Sequence, residues 1–160
     1  MNKIRWGIIG PGSIANNFAD ALKESYSGEL KAIASLNDQR RKNFGDKYNI
    51  IEDFRFNSYE SLLNSESVDA VYISTPHTLH ADITIKAAGK GKHILCEKPC
   101  AVNFIQGKKV IDAVREAGVF YKEGFMYRCH PQIPALLDLI KDKVIGDVEK
   151  ITSSFGFDMT

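Results

Sequence analysis

Lys98 carries an amine that can give a proton to an oxygen or take one from it. It stands in Cys96-Glu97-Lys98-Pro99, between a carboxylate and a proline. Oxidising an alcohol requires such a group, because the hydroxyl proton must go somewhere as hydride leaves the carbon. The plainer alternative is a lysine that only solvates the end of a strand. A second pattern lies far upstream, where Gly10-Pro11-Gly12-Ser13-Ile14-Ala15 matches G-x-G-x-x-A. In that pattern Gly10 permits a tight turn, Gly12 lets the backbone approach a pyrophosphate, and Ala15 lets a helix pack close to its sheet. The free N–H groups of Ser13 and Ile14 would then face phosphate oxygens, aided by the helix dipole. An ordinary glycine turn carries the same letters, so the surrounding elements decide.

Those elements alternate regularly. Apolar runs predict strands at 4–9, 29–36, 54–56, 68–74, 93–96 and 119–123. Helical spacing fills 13–24, 38–48, 80–90 and 104–117, and Ser58 reads as the N-cap of a short helix through Leu62 and Leu63. Strands that are apolar throughout imply a parallel sheet covered on both faces. The expected fold class is α/β, an open doubly wound parallel sheet of the Rossmann dinucleotide-binding type over residues 1–125. The glycine pattern then falls between a first strand and a first helix, where a dinucleotide would bind.

From 126 to 160 the character changes. Residues 131–142 form an amphipathic helix through Ile133, Leu136, Leu137 and Ile140, and Gly146 marks a turn. Residues 148–157 then alternate, with Phe155 and Phe157 at the end, which predicts a strand with one wet face. Such a strand has no place in a completed Rossmann domain. It reads as the start of a second, α+β domain that the sequence does not otherwise contain.

The residue roughly 20 positions beyond the glycine turn reports the ribose partner. An acidic residue there binds the 2′-hydroxyl of NAD, whereas a small residue with arginine nearby accommodates the 2′-phosphate of NADP. Here Ala34-Ser35-Leu36-Asn37 is followed by Arg40 and Arg41. Ser35 removes the repulsive carboxylate and guanidinium groups suit phosphate, so NADP is expected, with NAD as the alternative. Asp38 opposes this charge, and the arginines would also serve as a solvated helix face.

The totals exclude other classes. The 160 residues allow one domain with a sizeable core, and 44% hydrophobic with 26% charged residues is ordinary for a globular protein. A formal charge of +1 leaves no basic surplus for a nucleic-acid backbone. No apolar run approaches the roughly 20 residues of a membrane span. The first residues lead directly into a strand pattern, so a cytoplasmic location is expected. Cys96, Cys100 and Cys129 are odd in number and lack Cys-x-x-Cys spacing, which favours buried or half-buried thiols over structural disulfides. His77 and His80 have no neighbouring cysteine or acid in metal-ligand spacing, so no metal is expected.

Three segments in register resemble one family: the Gly10–Ala15 turn, Ile73-Ser74-Thr75-Pro76-His77-Thr78-Leu79-His80, and Cys96-Glu97-Lys98-Pro99. Together they look like the glucose–fructose oxidoreductase/inositol dehydrogenase/MocA (Gfo/Idh/MocA) family. The run Glu123-Gly124-Phe125-Met126-Tyr127-Arg128-Cys129-His130-Pro131 is most similar to the branch containing glucose–fructose oxidoreductase, dimeric dihydrodiol dehydrogenase and NADP-dependent xylose dehydrogenases. The resemblance implies a two-domain NAD(P)-dependent oxidoreductase for a sugar, polyol or dihydrodiol, a homo-oligomer at full length. It also implies roles: Thr75, Pro76 and His77 lining the cofactor, His80 as a cofactor contact or an orienting residue, and Glu97 at the nicotinamide ribose. Lys98 would hydrogen-bond the reacting oxygen, and Arg128 would lie close to the cofactor phosphates. In the family the second catalytic group, commonly a tyrosine or an aspartate and histidine, comes from the C-terminal domain. Here no histidine follows His130 and no tyrosine follows Tyr127. A non-catalytic nucleotide-binding module, or an inactive cofactor-domain fragment, therefore stands as the alternative to an enzyme.

Overall fold

Ile, Val and Ala fill the strand positions, and each interval between strands has room for one helix, so the chain winds in β–α units. The structure, a computed structural model, describes residues 3–156. It divides into two compact units that meet in sequence at Gly124 and Phe125. In the first, β1 (Ile4–Ile9) leads to α1 (Ser13–Lys23), β2 (Gly28–Ala34), α2 (Asp38–Lys47), β3 (Arg55–Phe56) and α3 (Tyr59–Leu63). Then come β4 (Ala70–Ile73), α4 (His80–Gly89), β5 (His93–Cys96), α5 (Phe104–Ala117) and β6 (Tyr121–Glu123). All six strands pair in parallel in the order β3-β2-β1-β4-β5-β6. The doubly wound parallel sheet expected from the sequence is the fold that forms.

This order places the site. The chain leaves β1 for β2 on one side and later returns to β4 on the other, with Ile9 in register with both Ala34 and Ile73. The reversal opens a crevice beyond the carboxyl ends of the strands, where ligands of such sheets bind.

The two-residue side-chain period splits the core between the faces. Ile8, Ile33 and Tyr72 pack with Ala15, Ala19 and Phe44 of α1 and α2. Ile9, Ala34, Val71, Ile73, Ile94 and Cys96 pack with Leu62, Leu63, Ala81, Ala87 and Val110 of α3, α4 and α5. Each fully buried Val, Leu or Ile stabilises the fold by about 1.5–3 kcal/mol. Local signals agree: the Ser58 hydroxyl accepts from the Ser61 N–H at 3.0 Å, and Asn37 and Asn103 cap α2 and α5 in the same way.

The second unit differs from expectation. It holds a 3₁₀ turn, Met126–Cys129, and α6 (Gln132–Lys141). Residues 148–156 form no strand. A strand must pair its N–H and C=O groups, and the described residues of this unit provide no second strand to pair with. Phe157, the last residue of the alternating run, lies outside the described residues.

One ion pair ties β1 to the entry of β4. The Asp69 carboxylate accepts from Arg5 Nη2 at 2.6 Å, Arg5 Nε at 2.9 Å and the Arg5 backbone N–H at 2.8 Å. The side-chain hydrogen bonds from Arg5 lead in drawing its pKa from the ordinary 3.8 down to about 2. A carboxylate depressed in the folded state contributes stability above its unfolded pKa, and that stability is lost as pH falls from about 4 through about 2. The two side chains are 38% and 36% exposed, so solvent screening limits the effect to about 1 kcal/mol or less. Asp69→Asn is therefore expected to lower the melting temperature at pH 7 by about 2–4 °C and to lower it much less near pH 2, where the folded-state carboxylate is already about half protonated. Equal losses at both pH values would contradict the linkage.

Candidate functional site

β1 ends at Ile9, and the chain must turn at once to enter α1. Gly10 turns it with φ +92°, a conformation that L side chains rarely adopt. A Cβ there would also stand 3.0 Å from the Thr75 nitrogen and 3.1 Å from the Ser74 carbonyl carbon. The turn is fixed on both sides: the Gly10 N–H donates to the Ala34 carbonyl at 3.1 Å, and the Ser74 hydroxyl donates to the Gly10 carbonyl at 2.8 Å. Gly12 is different, since a Cβ would meet nothing within 4 Å. Open space therefore lies where α1 begins. Gly12 occupies the N-cap position with no side-chain cap, and no acidic residue stands in the first turn. The N–H groups of Ser13 and Ile14 belong to this uncapped, electropositive end.

Around the turn is a groove. Gly10, Pro11 and Gly12 form one wall, Ser35, Leu36, Asn37 and Arg40 a second, and Ser74, Thr75 and Pro76 a third, with Tyr59 beside them. Gly10, Gly12, Ser35, Arg40, Thr75 and Pro76, chosen from sequence, are thus brought together. Asn37, Tyr59 and Ser74 line it too, although in the sequence a polar residue at a strand or helix end looks like ordinary solvation. Ser35 is buried, and its hydroxyl accepts from the Asn37 N–H at 3.2 Å. The two arginines separate in role. Arg41 donates to the Ser35 carbonyl at 2.9 Å and pairs with Asp38 at 2.8 Å. Asp38 is therefore answered by Arg41, and Arg40 is the cation that lines the groove. The lining residues include no carboxylate. Thr75 Oγ1 is buried and has no hydrogen-bond partner among the described residues. Open space at Gly12, an uncapped helix end and a lone lining cation together fit a ligand carrying several phosphates.

A second cluster forms beyond β4 and β5. His77 is exposed and opens the 3₁₀ turn His77–Leu79. His80 is buried at 1% exposure, with Nε2 at 2.8 Å from the Thr75 carbonyl and Nδ1 at 2.8 Å from the Pro99 carbonyl. The ring lies between the Thr75 loop and the turn carrying Lys98. Glu97 donates its backbone N–H to the Ile73 carbonyl at 2.9 Å and accepts the Tyr72 hydroxyl at Oε1 at 2.6 Å. Lys98 is exposed, and the Lys98–Pro99 peptide bond is cis. Burial pushes the Cys96 thiol up to about 12, so it is a packing group and no nucleophile. Arg128 belongs to the 3₁₀ turn of the second unit. No cluster of His, Cys, Asp or Glu able to hold a metal occurs among the described residues, and no helix there is long and apolar enough to cross a membrane.

Residues 4–125 match the Gfo/Idh/MocA family, an oxidoreductase family with an NAD-binding Rossmann fold. The chain belongs to the Gfo/Idh/MocA family. It is 34% identical over 157 residues to a trans-1,2-dihydrobenzene-1,2-diol dehydrogenase of Xenopus tropicalis, covering 97% of this chain and 47% of that protein. It is 37% identical over 152 residues to D-xylose 1-dehydrogenase (NADP(+)) 2 of Haloferax volcanii, covering 95% of this chain and 46% of that one. Among solved structures it resembles KijD10, a 3-ketoreductase from Actinomadura kijaniata in complex with NADP. The TM-score is 0.81 at 36% identity, over 91% of this chain and 46% of that one. The chain thus spans about half the length of the curated relatives it matches. Within the Gfo/Idh/MocA fold the glycine turn, the Thr75 loop and the Glu97-Lys98 turn all lie at carboxyl ends of strands.

Proposed function

We propose that this chain is the cofactor-binding part of an NADP-dependent oxidoreductase that moves hydride between NADP(H) and a CH–OH or carbonyl carbon of a sugar, polyol or dihydrodiol. The observation that carries this reading is the groove in which an uncapped helix start, carboxylate-free Ser35 and cationic Arg40 converge. The N–H groups of Ser13 and Ile14 would bind the pyrophosphate, with Gly12 leaving room for its approach. Ser35 and Arg40 would hold the 2′-phosphate, and Thr75, Pro76 and His77 would flank the ribose and nicotinamide. Bound NADP supplies the hydride carrier. Glu97 accepts hydrogen bonds from the nicotinamide ribose, and Lys98 exchanges the proton of the substrate oxygen. The dihydrodiol and xylose dehydrogenases among the relatives support the substrate class.

Gly10→Ala tests the groove. The added methyl group would press on Thr75 and Ser74 at a backbone angle that favours glycine, at a cost of about 1–3 kcal/mol in the turn. NADPH affinity, followed by NADPH fluorescence, is expected to fall at least about tenfold. Unchanged affinity would remove the turn from the binding site.

A further inference from the structure

Tyr72 is a phenol in a strand of otherwise apolar side chains, Ala70-Val71-Tyr72-Ile73, and it is 3% exposed. Its ring stacks on Phe18 of α1 with centroids 4.1 Å apart and planes 22° from parallel. Phe18 in turn meets Trp6 of β1 edge-on at 5.2 Å. The ring is thereby fixed between sheet and helix. A buried hydroxyl needs a partner, and this one donates to Glu97 Oε1 at 2.6 Å. Burial first, then the hydrogen bond to Glu97, raises the phenol's pKa far above its ordinary value, which keeps it a neutral donor.

Glu97 is seated from its other sides as well. Its backbone N–H is held by the Ile73 carbonyl at 2.9 Å. Gly124, whose N–H donates to the Cys96 carbonyl at 2.7 Å, lies against the carboxylate. A Cβ on Gly124 would stand 3.2 Å from Glu97 Oε1 and 3.3 Å from the Cys96 carbonyl oxygen. The carboxylate therefore occupies space that a side chain at 124 would crowd. An ionised carboxylate offers about four acceptor sites, and Tyr72 takes one.

We propose that Tyr72 is a positioning residue: its hydroxyl locks the Glu97 carboxylate into one orientation, so that the remaining acceptor sites meet the nicotinamide ribose without a further ordering cost. This rests on the reading of Glu97 as a cofactor contact. Were Tyr72 only a core residue with a satisfied hydroxyl, its loss would alter stability alone.

A double-mutant cycle separates these cases. NADPH affinity is measured by fluorescence for the wild type, Tyr72→Phe, Glu97→Ala and the double variant. Melting temperatures without cofactor report folding separately, and phenylalanine retains the Phe18 stack. Tyr72→Phe is expected to weaken NADPH binding about 3- to 10-fold in the wild-type background, the range of one hydrogen bond, and less than about twofold once Glu97 is absent. An equal loss in both backgrounds, or no loss in the first, would overturn the positioning role while leaving Glu97 as a contact. If Glu97→Ala itself leaves NADPH affinity unchanged, the assignment of Glu97 fails, and the role of Tyr72 fails with it.

Discussion

Lys98→Met, made in a chain of the length of its relatives, is expected to lower kcat by about 10²- to 10⁴-fold and to leave NADPH binding within about twofold of the wild type. Methionine keeps the long apolar stem and deletes only the amine, so packing at the end of β5 changes little. The amine's neighbour Glu97 gives Oε1 to the buried Tyr72 hydroxyl at 2.6 Å. His80 fastens the same turn through the Pro99 carbonyl at 2.8 Å. The loop thus stays in place when the amine is removed, and a loss of rate reports proton transfer. Steady-state kinetics alongside an NADPH titration make the check. An unchanged kcat would mean that the substrate proton travels through another group.

Ser35→Asp is expected to invert cofactor preference. Ser35 closes β2, is buried at 5% exposure and lines the groove beside Arg40. If Ser35 and Arg40 hold the 2′-phosphate as proposed, a carboxylate there would face it. Two like charges 4 Å apart repel by about 4 kcal/mol at an effective dielectric near 20. Because the groove opens to water, a loss of about 10²-fold in NADPH affinity is expected. NADH carries a 2′-hydroxyl that the new carboxylate can accept from, so its affinity should hold or improve. Parallel titrations with the two nucleotides decide it, and an equal effect on both would detach Ser35 from the 2′ position.

Much of this was legible in the sequence because the relevant forces are local or periodic. Apolar runs such as Ala70–Ile73 and His93–Cys96 announce buried parallel strands, and Ser58 announces the cap of α3. The glycine turn could be read from spacing, because only its residue types allow that backbone. What could not be read depended on which side chains meet across the fold. Arg40 and Arg41 are adjacent and alike, and only the three-dimensional pairing of Arg41 with Asp38 and the Ser35 carbonyl separates them. Tyr72 passed for one more apolar strand position, since nothing local shows that its hydroxyl reaches a residue 25 positions away. Nor does the sequence show that the His80 ring is buried beside the Thr75 and Pro99 carbonyls. The alternation at 148–157 describes side-chain preference only. Pairing makes a strand, and no strand forms over residues 148–156.

The groove between Gly10, Ser35 and Thr75 is expected to select a dinucleotide with a 2′-phosphate. The most direct test is the ratio of dissociation constants for NADH and NADPH, measured on the wild-type chain at one ionic strength. NADPH is expected to bind at least about tenfold more tightly, the value of one charge-assisted phosphate contact. Equal or tighter binding of NADH would mean that the groove does not read the 2′-phosphate.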